Sequence, residues 1–285
     1  MPFKYEELIN QCSDDIAFSY TDNQMLLYNL SIGMGRDPLN AQELPYVFER
    51  PELQVMPSAS AVIGGGRANL LGKVNLDWAK ILHGEQRLTC HRAIPPAAEL
   101  IGKTRVSEIV DKGSDKGALI TLQMDVRLAS GEPLYTMENI TFARGDGGCG
   151  GPSSGVQQPH TIPEREPDLI HISETRLDQA LLYRLNGDRN PLHVDPILAS
   201  KVGYARPILH GLCTYGIACR AVLASVCDYQ TSRMKSFDVR FTSPVFPGDT
   251  IHTDIWIDAN VVTFRCRVEA RNIIALNNGR CEISA

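Results

Sequence analysis

No run of apolar residues in this sequence approaches the ~20 needed to cross a bilayer. Basic surplus is also missing: 28 Lys and Arg face 33 Asp and Glu, a net charge of −5. A membrane span, a basic footprint for nucleic acid and a basic membrane-surface stretch are thereby excluded. The start, MPFKYEELINQCSDD, carries acidic residues where a signal peptide needs an apolar core, so the expectation is a soluble, unsecreted protein. Its eight cysteines form no CxxC pair and no Cys/His zinc spacing; they read as buried thiols of a reducing compartment. Gly64-Gly65-Gly66 is not a dinucleotide fingerprint after a clear strand, which disfavours a dehydrogenase. With 43% apolar and 21% charged residues, disorder, a collagen-like fibre and a coiled-coil rod are out as well.

What remains is a globular chain of 285 residues, enough for two domains of roughly 140 each. One stretch breaks the composition: GDGGCGGPSSGVQQPHTIPEREP, residues 145–167, crowds Gly, Ser and Pro without apolar periodicity. It reads as a linker, since no GxxxxGK[ST] pattern makes its glycines a phosphate cradle. The expected division is 1–144, linker 145–167, and 168–285. The flanking parts resemble each other. DNQMLLYNLSIGMGRDPLN from Asp22 parallels LDQALLYRLNGDRNPLH from Leu177, and IPPAAELIGKTRVSEI from Ile94 parallels VFPGDTIHTDIWIDAN from Val245, both about 150 residues apart. Two ordered matches at nearly one offset point to duplication.

The C-terminal part is the easier to read. A short helix is expected around 177–185, then a turn-rich NGDRNPLHVDP. Asp195 followed by Pro196 reads as an N-cap with proline at the first helical position, stopped by Gly203. Leu212, Tyr215, Cys219, Val222 and Val226 keep helical spacing from Gly211 onward, a helix of about 24 Å. The rest alternates like strands, with breaks at Pro247-Gly248 and Ala259-Asn260. One long helix and a curved antiparallel sheet around it is the expectation. The N-terminal part has a matching strand set over about 85–143, with a weaker central helix.

Chemistry concentrates in D-x-N-P-L-H: Asp188, Asn190 and His193. On a continuous helix Asp188 and His193 would point about 140° apart, so only a turn can bring them together. Pro191 disfavours helical geometry at Asn190, and Gly187 permits unusual backbone before Asp188. A carboxylate and an imidazole converging on one point can hold and deprotonate a water. The alternative is that Asp188 and Asn190 are turn residues and His193 a surface side chain. Gly211, opening the long helix after Pro207-Ile208-Leu209-His210, offers an N–H at the positive end of the dipole to a thioester oxygen. It serves equally as a packing glycine.

Taken together, the run Tyr183-Arg184-Leu185-Asn186-Gly187-Asp188-Arg189-Asn190-Pro191-Leu192-His193-Val194-Asp195-Pro196, followed by His210-Gly211-Leu212-Cys213, resembles the hydratase 2 motif of the MaoC-like family. The resemblance extends over nearly the whole chain, including His83-Gly84-Glu85-Gln86 and Phe142-Ala143-Arg144-Gly145. It implies an α+β double hotdog, two antiparallel sheets each curved around a central helix. The C-terminal half is then catalytic and the N-terminal half degenerate, Gly35 and Asn40 standing where Asp188 and His193 stand in the other. A lost N-terminal helix would leave room for a bulky acyl chain.

The implied activity is (R)-specific hydration of trans-2-enoyl-CoA to (3R)-3-hydroxyacyl-CoA in fatty-acid β-oxidation, with no metal or redox cofactor. A hotdog acyl-CoA thioesterase and a non-catalytic acyl-CoA-binding module are the competing readings. The resemblance makes Asp188 and His193 the catalytic pair, Asn190 a helper in the water's hydrogen-bond network, and Gly211 the donor to the thioester oxygen. It adds His83, Gly84, Lys112 and Phe241 as substrate-binding positions, Lys112 as a point charge toward a CoA phosphate. Taken singly, Lys112 fits a solvated turn, His83-Gly84 a strand start and Phe241 a core aromatic. A homodimer and a peroxisomal location are also implied, although the chain ends Cys281-Glu282-Ile283-Ser284-Ala285 with no visible peroxisomal address.

Overall fold

The computed structural model describes residues 3–63, 68–155 and 158–284; Gly64-Gly65-Gly66 lie outside the described residues. Two compact units emerge. One comprises Met1–Ser19, Gly64–His91 and Glu99–His160, the other Tyr20–Ile63, Arg92–Ala98 and Thr161–Ala285. This grouping does not follow the 145–167 boundary, because a block from near the chain start packs with helices of the C-terminal part.

The first unit opens with helix α1 (Tyr5–Leu8) and strand β1 (Ile16–Tyr20, whose last residue groups with the other unit). It continues with β2 (Ile81–Cys90), β3 (Ala98–Asp111), β4 (Ala118–Leu128) and β5 (Pro133–Ala143), in sheet order β1-β3-β4-β5-β2. The β3–β4, β4–β5 and β2–β5 pairs are antiparallel. Leu70, Leu71, Leu76, Val106, Ile109 and Ile120 lie in its core beside Leu8 of α1. Among the described residues of this unit, α1 is the one α-helix, and it spans four residues. The segment before β2 makes short 3-10 turns instead, at Leu71–Lys73 and Trp78–Lys80.

The Gly-rich stretch begins as part of this unit rather than as a free connector. The carboxylate of Asp111 accepts from the amides of Gly113 (2.9 Å), Gly148 (2.8 Å) and Gly150 (3.0 Å). Burial pushes this carboxyl up, but those three amide donors outweigh it and hold it below the usual carboxylate range. Cys149 is buried beside it, and the buried Asp146 accepts from the Asp77 amide.

The second unit contains α2 (Asp22–Ser31), α3 (Leu44–Val47), β6 (Leu169–Glu174), α4 (Gln179–Tyr183), α5 (Pro196–Lys201) and α6 (Gly211–Val226). Strands β7 (Asp238–Phe241), β8 (Thr250–Asp258), β9 (Val261–Val268) and β10 (Ile273–Glu282) follow. Their sheet runs β7-β10-β9-β8-β6, antiparallel throughout. Helix α6 starts and stops where its apolar spacing predicts. Apolar nearly all round from Cys213 to Leu223, it must be enclosed, and it packs on β6, β8 and β10. Its remaining side is covered by the 3-10 turn Pro57–Ala61 from the chain's early part. Tyr215, Phe237 and Phe264 form an aromatic core, with Phe237 and Phe264 stacked at 4.7 Å.

Both copies of the repeated LLY motif lie in this unit. Tyr28 of α2 meets Tyr183 of α4 edge to face, ring centroids 6.2 Å apart. The two Asx-Pro-Leu turns share one device. The Asp37 carboxylate accepts from the Leu39 amide at 2.9 Å, and the Asn190 side-chain oxygen from the Leu192 amide at 3.0 Å. Cys12 is exposed and Cys90 half-buried, so the buried-thiol reading holds for the other six cysteines.

Candidate active site

The catalytic motif occupies the passage from α4 to α5. After α4 a 3-10 turn, Arg184–Asn186, ends at Gly187 with φ 118°, a backbone region in which a side chain is strained. That reversal starts the chain toward α6. Two side-chain bonds then shape the loop: Asp188 Oδ1 accepts from the Asn190 amide (3.1 Å), and Asn190 Oδ1 accepts from Leu192. Asn190 thereby caps a 3-10 turn, Pro191–His193, that swings His193 inward. Asp195 caps α5 through bonds to the amides of Ile197 and Leu198, with Gly203 at φ 92° after its end. The turn-residue reading of Asp188 and Asn190 is therefore right as far as it goes. His193, however, is buried, not a surface side chain.

His193 Nε2 stands 4.0 Å from Asp188 Oδ2, the imidazole 9% and the carboxylate 52% exposed. That separation is too long for a direct hydrogen bond, yet a single water can bond both groups at once. The tautomer follows from the other edge of the ring. Nδ1 lies 2.9 Å from the Ile208 carbonyl, which can only accept, so Nδ1 carries the proton and Nε2 presents a lone pair. A base and a carboxylate thus converge beside solvent.

Behind them lies His210, which the motif reading passed over. Its ring stacks on His193 (centroids 3.6 Å, interplanar 23°) and meets Tyr183 at 4.9 Å. Its Nε2 donates to the Asp188 carbonyl at 3.2 Å. Burial, then the nearby His193, pull its pKa down to about 4, while Asp188 acts in the opposite sense. The one sequence signal that could have found it is its place as the residue directly before the helix start. Asp188, His193 and His210 bring possible ligand atoms within 4.8 Å of one another. The two rings are stacked, however, so their in-plane lone pairs run side by side instead of converging, a poor fit to any metal coordination geometry.

Gly211 is the first residue of α6, and the His210 carbonyl before it accepts from Cys213 and Thr214. At this end of a sixteen-residue helix the N–H groups lack intrahelical acceptors and the dipole is positive. A Cβ at Gly211 would sit 3.2 Å from two ring carbons of Phe241, at the end of β7. Asp188, Asn190, His193, Gly211 and Phe241 are thus all in the second unit, and Phe241 is next to Gly211.

His83, Gly84 and Lys112 belong to the first unit. Gly84 is the extra residue of a β-bulge in β2, where His83 faces Thr141 and Glu85 faces Ile140. His83 Nε2 lies 3.0 Å from the Asn139 amide nitrogen, which donates to it. Lys112 is exposed in the turn after β3, its own amide bonded to the Gly117 carbonyl.

The family described as "MFE-2 hydratase 2 N-terminal domain" matches residues 18–145, and "MaoC like domain" matches residues 158–278. An "Enoyl-CoA hydratase ChsH3" of Mycobacterium tuberculosis is 35% identical over 263 residues, 90% of this chain and 91% of that protein. The chain belongs to the MaoC-like hydratase 2 family. The mouse "Peroxisomal multifunctional enzyme type 2" is 36% identical over 93% of the chain, which spans 36% of that longer protein's length. Among solved structures, a MaoC-like dehydratase from Phytophthora capsici aligns with TM-score 0.88 at 30% identity, covering 98% of this chain and 97% of that one. A more distant M. tuberculosis protein described as a double hotdog aligns at TM-score 0.57 and 14% identity, covering 96% and 95%; it speaks to the fold alone.

Proposed function

We propose that this member of the MaoC-like hydratase 2 family is an (R)-specific enoyl-CoA hydratase acting on trans-2-enoyl-CoA thioesters. The observation that carries this reading is the 4.0 Å gap between Asp188 Oδ2 and the unprotonated Nε2 of His193. A water held there donates to both groups. As its oxygen bonds to C3 of the enoyl chain, the C2–C3 π electrons move toward the thioester oxygen, and one water proton passes to the Asp188–His193 pair. The Gly211 N–H, at the positive end of α6, lowers the energy of that developing oxyanion. Return of a proton to C2 completes the addition of H and OH and restores the pair. Asn190 contributes through the turn that aims His193, with its remaining amide hydrogens available to the water network.

The second unit holds this chemistry as a catalytic hotdog half. In the same reading the N-terminal half, residues 1–144, where Gly35 and Asn40 replace the catalytic pair, is a degenerate hotdog half that binds the acyl-CoA. His83, Gly84 and Lys112 are its substrate-binding positions and Phe241 lines the thioester end. A homodimer and a peroxisomal location complete the proposal and rest on family kinship; relatives include enzymes named as peroxisomal.

The deciding experiment incubates the protein with crotonyl-CoA and decenoyl-CoA and separates the product enantiomers. (3R)-Hydroxyacyl-CoA is expected from wild type, with Asp188→Asn and His193→Ala each slowed roughly 10²-fold or more. Free CoA in place of the hydroxy product would identify a thioesterase.

A further inference from the structure

His210 is 1% exposed, carries no role in the chemistry above, and yet touches both members of the pair. Its Nε2–H holds the Asp188 main chain and its face holds the His193 ring. The segment containing it also fixes the edge of His193, through the Ile208 carbonyl two residues earlier. Residues 208–210 therefore clamp the pair from edge, face and backbone, directly before the oxyanion donor Gly211. Because Nε2 donates to a carbonyl, the proton of the neutral ring is there, and Nδ1 is left buried with no hydrogen-bond partner.

We propose that His210 is a positioning residue of the hydration reaction, a neutral imidazole that sets the spacing between Asp188 and His193 and offers an uncharged π face to His193 as it takes up a proton. This inference rests on the reading that the pair activates water. The side-chain chemistry explains why histidine is used. Phenylalanine could stack on His193 but not donate to Asp188; glutamine could donate but not stack. A cation at this place would do neither harmlessly, because it would repel the imidazolium. The charged and titratable groups around the ring are Asp188, His193, Arg184 and Tyr183. Burial keeps the ring neutral across the working pH range despite the attraction of Asp188.

The test compares the full-length wild type with His210→Phe and His210→Gln on crotonyl-CoA from pH 5 to 9, with circular dichroism and melting alongside. Both variants are expected to lose about 10- to 100-fold in kcat with KM changed less than about threefold, since misplacement acts on the transition state. The acidic limb of their kcat/KM profile should move, which a purely structural role would not cause. Folded variants with wild-type kcat and an unmoved limb overturn the proposal. Should neither variant fold, nitrogen-15 histidine NMR of the wild type decides. A His210 proton on Nε2 with no titration near pH 6.5 supports the role; a proton on Nδ1 or an ordinary histidine titration overturns it. A wild type that forms no hydroxyacyl product instead refutes the hydratase reading itself, whatever the variants do.

Discussion

At the scale of single residues, Gly211 is asked to be two things, a hydrogen-bond donor and an empty space. Gly211→Ala places a methyl 3.2 Å from the Phe241 ring, which must give by a few tenths of an ångström, and Gly211→Val adds bulk that the ring cannot easily evade. Gly211→Val should lose most activity, in the range of ~2.7–4 kcal/mol of transition-state stabilisation, while Gly211→Ala loses less. Kinetics on crotonyl-CoA with melting curves check this, and a folded valine variant at wild-type rate removes Gly211 from the mechanism. At the position that stands for His193 in the other repeat, Asn40→Ala removes a 3.3 Å bond to the Tyr229 hydroxyl and should leave turnover largely intact.

His210 also has a stability signature. Its pKa is about 4 in the folded chain against 6.5 for a free imidazole. As pH falls below 6.5 the unfolded chain binds a proton that the folded chain refuses, so stability drops between about pH 6.5 and 4 and levels off below. The loss from this one group is at most ~3 kcal/mol. Melting of wild type against His210→Phe across that window should show the steeper acid loss in wild type; parallel curves would contradict it.

At the scale of elements, caps and turns were the legible part. The Asp195-Pro196 start of α5 and the extent of α6 follow from residue type and apolar period, with no tertiary information needed. The β8–β9 break at Ala259-Asn260 was legible too, although not its strain: Ala259 has φ 54°. Ala259→Gly relieves that backbone and should raise stability by about 0.5–1 kcal/mol, read as a higher melting temperature with unchanged activity. Less legible was the packing of the Gly-rich segment. A run such as GDGGCGG looks the same whether it floats or wraps a carboxylate, and only Asp111, more than thirty residues earlier, decides between them. His210 was illegible for a related reason. Its importance lies in a face-to-face contact with His193, seventeen positions away, that no local pattern encodes.

At the scale of the whole molecule, the second unit is completed by residues far outside its C-terminal strands. Gly216 of α6 lies so close to the early segment that a Cβ there would meet Ile32 at 2.6 Å and the Tyr28 hydroxyl at 2.7 Å. Ser31 is a junction: its carbonyl accepts from the Gln179 side chain at 2.5 Å and its hydroxyl from Asn186 at 2.9 Å, two residues before Asp188. Glu43, buried, accepts from Arg220 Nε of α6 at 2.8 Å. Residues 161–285 expressed alone therefore lack the covering of α6 and the brace behind the motif, and leave Arg220 without its carboxylate. Such a fragment should aggregate or self-associate on size-exclusion chromatography and hydrate decenoyl-CoA poorly. A stable, fully active monomer would show that residues 20–63 are dispensable.

The same interleaving bears on how the chain is born. Residues 20–63 leave the ribosome roughly 160 residues ahead of the end of α6, the helix they cover. At 5–20 residues per second that is a wait on the order of 10–30 s, during which Met25, Tyr28 and Ile32 have no native partner from that helix. The first unit, begun by residues 1–19, is completed at residue 160 within this interval and can fold while the second is still incomplete. Any slowing of translation between residues 64 and 160 would lengthen the exposure of that early segment, so the yield of soluble protein should depend on elongation rate and on holding chaperones more than on the final stability of the fold.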